Sequence, residues 1–185
     1  MSAGVTITKD GVPDLLAAIK DLTLKRVMVG VPAENAERPD GKANNALIGY
    51  VLETGDPSRN LPARPFLVPG VQSVQEAAEK GLEKAGKSAL EGRRSDAQTQ
   101  FASVGLMCAA AVKDKMDAGP FAPLADATLR ARIRKKKGGD AAAAEELANR
   151  KAGQPPGTDL VPPLYDTGNL QNSVTYVIRD VRTRR

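Results

Sequence analysis

The sequence predicts an α+β fold: a small β-sheet packed with two or three long helices, an extended proline-rich loop and a basic C-terminal arm. Three observations predict it. From Val71 to Ala118, apolar residues recur every three or four positions, the period of one helix face. Two short runs rich in β-branched residues, Lys25 to Val31 and Ser173 to Ile178, stand far apart as strand candidates. Between Gly55 and Pro69 lie prolines 57, 62, 65 and 69, which argue against a helix or a central strand there.

The elements follow in order. Pro13 to Leu22 reads as a short helix, with proline in its first turn and Leu15, Leu16, Ile19 and Leu22 at helical spacing. Pro32 stops the strand that follows. Glu34 to Lys42 is polar, holds Pro39 and Gly41, and reads as a loop. Asn44 to Leu52 reads as a second short helix closing at Gly55. Val71, Val74, Ala78, Leu82, Ala85 and Ala89 form the stripe of a long helix. A second long helix covers Asp96 to Ala118, with Phe101, Val104, Cys108, Ala111 and Val112 on one face and Gly119-Pro120 as its stop. A third starts near Asp126 and ends at Gly138-Gly139. Ala141 to Arg150 has high helix propensity but a thin apolar face, which predicts a small surface helix. The chain reads as one domain, 1–185, with a surface insertion at 138–159 and a loose basic arm at 179–185.

Composition narrows the function. Hydrophobic residues make up 41% and aromatics 3%, with no Trp, so the core must be Leu, Val, Ile and Ala. Such a core buries less area per residue than an aromatic one, which predicts a modestly stable monomer helped by a partner surface. The net charge of +5 permits contact with nucleic acid or an acidic protein. The absence of His removes Ser-His-Asp and Cys-His catalysis and the usual neutral-pH proton shuttle. One cysteine, Cys108, allows no intrachain disulfide and reads as a small buried thiol. The carboxylates are dispersed and suggest no acid–base pair. No enzyme activity, cofactor or metal is expected. Met1 to Thr6 lacks the marks of a signal peptide, and no apolar run approaches the ~20 residues that cross a bilayer. The expected setting is a reducing cytoplasm, or a particle assembled there, without a membrane partner.

Several motifs invite a sharper reading. Gly81-Leu82-Glu83-Lys84-Ala85-Gly86-Lys87-Ser88 matches the P-loop pattern G-x-x-x-x-G-K-S in full. A P-loop needs a buried strand before it and a helix starting at the lysine. Here Gln72 to Lys80 is polar with a helical period, and Leu82 and Ala85 carry the stripe through the supposed loop. A surface helix with two tolerated glycines is expected instead. Arg130 to Lys137 holds six cations in eight residues, a solvated face or a contact for phosphate or an acidic neighbour. No aromatics are interleaved for base stacking. Arg64, between Pro62 and Pro65, would lose little entropy on pairing with a carboxylate across an interface, while Phe66 would anchor the next helix in the core. Asp166-Thr167-Gly168-Asn169 reads as a turn, with Gly168 at positive φ.

Taken together, Val29-Gly30, Glu53-Thr54-Gly55, Leu61-Pro62-Ala63-Arg64-Pro65-Phe66, Pro123 to Thr128, and Pro163-Leu164 through Val177 resemble, in order and over nearly the whole chain, the tail-completion, neck and head–tail connector proteins of tailed bacteriophages. Thr54 stands where the family usually has an aromatic, and 138–159 looks longer than usual. The resemblance implies an α+β virion subunit without catalysis, repeated in a ring at the head–tail junction or tail top. A hexamer is favoured by the symmetry such relatives share. The partners implied are copies of itself and neighbouring neck, portal-adaptor or tail-tube proteins. A closed ring needs two different patches per subunit. Arg64, Pro65 and Phe66 are expected in one. Tyr165, Asp166 and Gly168 are further interface candidates. The basic surface of Arg130, Arg132, Arg134, Lys135, Lys136 and Lys137, or the C-terminal arm, is expected to be part of another. The alternative is a basic accessory protein of the particle that contacts DNA non-specifically.

Overall fold

The computed structural model describes residues 11–37, 44–135 and 139–181. In chain order these form α1 (Val12–Leu24), β1 (Lys25–Gly30), α2 (Ala33–Ala36), α3 (Asn45–Thr54), a 3-10 turn (Pro57–Arg59), α4 (Leu67–Gln72), α5 (Gln75–Leu90), α6 (Arg94–Ala118), α7 (Asp126–Lys135), α8 (Ala141–Lys151), α9 (Asn169–Ser173) and β2 (Thr175–Asp180). The α+β class is as expected.

Helix α6 is the spine. Its 25 residues span about 37 Å. Ala97, Phe101, Val104, Cys108, Ala111, Val112 and Met116 are buried along it. Helix α5 returns along α6 through a tight turn at Gly92, sealed by Arg93 N–H donating to the Ser88 carbonyl at 2.8 Å. Helix α4 crosses so closely that a Cβ on Gly70 would stand 2.6 Å from Val112 Cα.

Strands β1 and β2 pair antiparallel, from Lys25 with Asp180 to Gly30 with Thr175. Alternation sends Val27, Val29 and Tyr176 to one face. Val27 joins Ala85, Ala89, Ala97 and Phe101; Val29 joins Val104 and Cys108. The Tyr176 ring lies on the α6 backbone at Gly105. The main core gathers Phe66, Val112, Met116, Leu164, Leu170 and Val174. It is largely aliphatic, with Phe66 as its anchor, as expected.

Several expectations need correction. Proline does not exclude helix throughout 55–69: α4 begins at Leu67 and takes Pro69 in its first turn, where a missing N–H costs little. The helix expected from Val71 is two, α4 and α5, broken at Ser73-Val74. Part of the loop expected at Glu34 forms the single turn α2. Ser173 closes α9, and the last strand begins at Thr175.

The 138–159 segment is no surface addition over the part described. Ala143 and Leu147 of α8 pack with Leu124, Leu129 and Val161 in a second cluster, so α8 supports α7. Nor is the arm loose from 179. Arg179 and Asp180 belong to β2, and Val181 N–H donates to the Leu24 carbonyl at 2.6 Å. Residues 182–185 lie outside the described residues.

Candidate functional site

The Glu53-Thr54-Gly55 corner and the Arg64-Pro65-Phe66 segment form one locked unit. Helix α4 has no side-chain cap of its own at Phe66. Glu53 supplies it from the end of α3. Its Oε2 accepts from Phe66 N–H at 2.7 Å and Leu67 N–H at 2.9 Å, and its Oε1 accepts from Val68 N–H at 3.0 Å. A carboxylate on the open amides of a helix start satisfies them and suits the helix dipole. Gly55 follows at φ 75°, with space for a Cβ denied by Ala63 N at 2.7 Å. Between them, Asp56 and Leu61 exchange two backbone hydrogen bonds of 2.9 and 3.0 Å, making a small hairpin.

Arg64 leaves this corner inward. It is 3% exposed. Its Nε donates to the Ala122 carbonyl at 2.8 Å and its Nη2 to the Pro123 carbonyl at 3.0 Å. It therefore ties the proline segment to the turn before α7. The same turn is held from α8: Arg150 Nη1 donates to the Leu124 carbonyl at 2.7 Å and to Asp126 at 2.9 Å, while its Nε donates to Glu146 at 2.8 Å. Glu146 also accepts from Gly157 N–H at 2.8 Å. That amide, then Arg150, holds the Glu146 carboxyl below the ordinary carboxylate range.

These ties leave a groove of about 1230 Å³. One wall is the proline segment, with Pro57, Leu61 and Pro62; the other is α7, which presents Ala127, Ala131, Arg132 and Lys135. Pro163 and Asp166 complete the lining. Lys135 Nζ closes on Asp166 at 2.7 Å. Arg64 lines the groove too. Burial, then the charge of Arg132, lowers its guanidinium pKa.

The predicted site residues divide accordingly. Phe66 is buried in the core, and Arg64 is buried where it lines the groove rather than standing out from the surface. Arg64's donors go to carbonyls because the chain turns it inward between two exposed prolines, Pro62 and Pro65. Replacing both would therefore damage the fold and would not isolate an interface. Pro65 and Tyr165 are exposed. Gly168 has the expected positive φ, 74°, but is buried beneath the turn. The basic stretch is not one uniform solvated face. Arg130 pairs with Asp126 at 3.6 Å, Arg132 is half-buried in the groove, Arg134 is exposed, and Lys135 pairs with Asp166. Lys136 and Lys137 lie outside the described residues.

The P-loop match is a helix interior. Gly81 to Ser88 lies within α5, and Lys87 pairs with Glu83 one turn earlier at 2.6 Å. Sequence reasoning singled out the Glu53 corner but not its capping role, and missed Arg150. Glu146 and Arg150 at i,i+4 on a helix were a legible pair; nothing in the local sequence marked Glu53 as a remote cap. Cys108 is buried as expected, and burial pushes its thiol pKa up. Among the described residues, no group of His, Cys, Asp and Glu could hold a metal ion, and no helix is long and apolar enough to cross a membrane. No protein-family model, curated protein or solved structure matches the chain.

Proposed function

We propose that this chain is a structural subunit of a tailed-phage particle, completing the tail or joining head to tail as one copy in a ring, with six copies favoured. Neck, portal-adaptor or tail-tube proteins would be its neighbours, and the virion its place. The observation that carries this reading is convergence. Residues from four of the five segments that carry the resemblance, 53–55, 61–66, 123–128 and 163–177, line one groove. Their charged groups are tied down within the subunit: Arg64 on the carbonyls of Ala122 and Pro123, Asp126 on Arg150, and Asp166 on Lys135. That is the construction of a rigid contact surface, whose ordering cost is met before a partner arrives.

Contact with DNA is the second reading. The cations of α7 favour it by number but not by state, since Arg130 and Lys135 already face carboxylates. Electron microscopy of lysates from a phage carrying this gene, with the gene silenced, tests the first reading. Filled heads and finished tails lying apart are expected. Normal, infectious particles would overturn it.

A further inference from the structure

We infer that the groove between the proline segment and α7 docks an extended acidic segment of a partner protein, with a carboxylate seated over Arg64 and Arg132. This deepens the assembly reading, on which it rests for its setting.

Arg64 is a buried cation without a counter-ion among the described residues. Its two carbonyl acceptors satisfy N–H groups but do not neutralise charge, and a desolvated cation left uncompensated is costly. The other charges of the groove are already engaged. Lys135 pairs with Asp166 at 2.7 Å, and Arg59 leans on Asp56 at 3.4 Å. Arg64 and Arg132 remain, both lining the groove. A planar guanidinium held in place by other bonds is prepared for a carboxylate, which takes charge-assisted hydrogen bonds at little entropic cost.

Size and lining choose the occupant. At about 1230 Å³ the groove exceeds the roughly 300–1,000 Å³ typical of small-molecule pockets, so a chain segment fits better than a metabolite. Pro57, Leu61, Pro62, Ala127 and Ala131 offer small apolar contacts to an extended backbone. No aromatic lines it, so bases would find no stacking platform. A side chain as deep as Arg64 suits a carboxylate on a slender peptide better than a duplex phosphate. The chain's own C-terminal arm is excluded by sign: Arg182, Arg184 and Arg185 are cations.

Fluorescence anisotropy of the full chain tests this with three probes: a labelled peptide alternating aspartate with proline and alanine, the same peptide with lysine for aspartate, and a single-stranded oligonucleotide. Arg64→Gln alone would be ambiguous, because Arg64 also holds the turn. Ala131→Glu is the second variant; it places a carboxylate in the groove from an exposed helical position and leaves the Arg64 ties intact. The aspartate peptide should bind, weaken with salt, and lose at least about tenfold in affinity in Ala131→Glu, the effect of one displaced ionic contact. No binding of that peptide, equal binding of the lysine peptide, preference for the oligonucleotide, or indifference to Ala131→Glu would each overturn the inference. Ring mass measured on the same samples separates the two readings. Rings that ignore the peptide sink the docking site alone. Specific peptide binding supports the site even if the gene-silencing experiment removes the virion role.

Discussion

Arg64 and Arg150, from segments far apart in the chain, take three successive carbonyls of one turn: Arg64 those of Ala122 and Pro123, Arg150 that of Leu124. The turn before α7 is thereby fixed from both sides, and with it the wall of the groove.

Removing either arginine should destabilise the fold, unequally. Arg64→Leu leaves two carbonyls without donors and should cost about 2–4 kcal/mol. Arg150→Leu also strands the buried carboxylate of Glu146 and should cost about 3–5 kcal/mol. Urea unfolding followed by circular dichroism measures both. An Arg64→Leu protein as stable as wild type would show that the clamp contributes nothing.

Glu53→Ala uncaps α4 from a distance. Three amides lose their acceptor, and a loss of about 1–3 kcal/mol is expected. Glu53→Gln keeps an acceptor and should lose less. Thermal melts of the two variants decide; equal losses would mean that the carboxylate acts only by filling space.

Two glycines should respond with opposite sign. Gly70→Ala drives a methyl against the Val112 backbone, 2.6 Å away, and should destabilise by about 1–3 kcal/mol. Gly86→Ala, with nothing within 4 Å of the new Cβ in the interior of α5, should stabilise by about 0.5–1 kcal/mol. Calorimetric melting temperatures read both directly. A lower melting temperature for Gly86→Ala would contradict the environment assigned to α5.

Acid should loosen the α7–α8 unit through Glu146. Its carboxyl titrates below the ordinary range because the Gly157 amide and Arg150 favour the charged form. The stabilisation is therefore present above that range and is lost as pH falls through the depressed value. Wild type should lose more stability than Glu146→Gln between about pH 5 and pH 3. Parallel slopes of urea midpoint against pH would refute the assignment.

Much of the fold was legible because α5 and α6 carry clear three-four periodicity, and because Pro32 and Gly119-Pro120 punctuate the chain. The α8 packing was not. Alanines give a weak apolar signal by size, yet Ala143 is fully buried because a small side chain lets two helices approach closely. The site was legible in parts. The proline segment and the basic helix were both singled out, but their meeting across one groove depends on Arg64 turning inward, and side-chain direction in a loop has no period to betray it. The capping by Glu53 was invisible for the same reason: it joins the end of one helix to the start of another across a hairpin.

The pairing of Lys25 with Asp180, 155 residues apart, has a consequence for synthesis. β1 leaves the ribosome well before its partner β2, with α5 and α6 between them in the chain. Helices α5 and α6 emerge in between and can form their hairpin while Val27 and Val29 belong to an unpaired edge. Closing the sheet is thus a late, long-range event with the entropic cost of a large loop. Until it closes, the nascent chain exposes a strand open to wrong partners. A chain that stops short of β2 keeps that edge, which gives cellular quality control a physical mark to distinguish an incomplete subunit from a finished one.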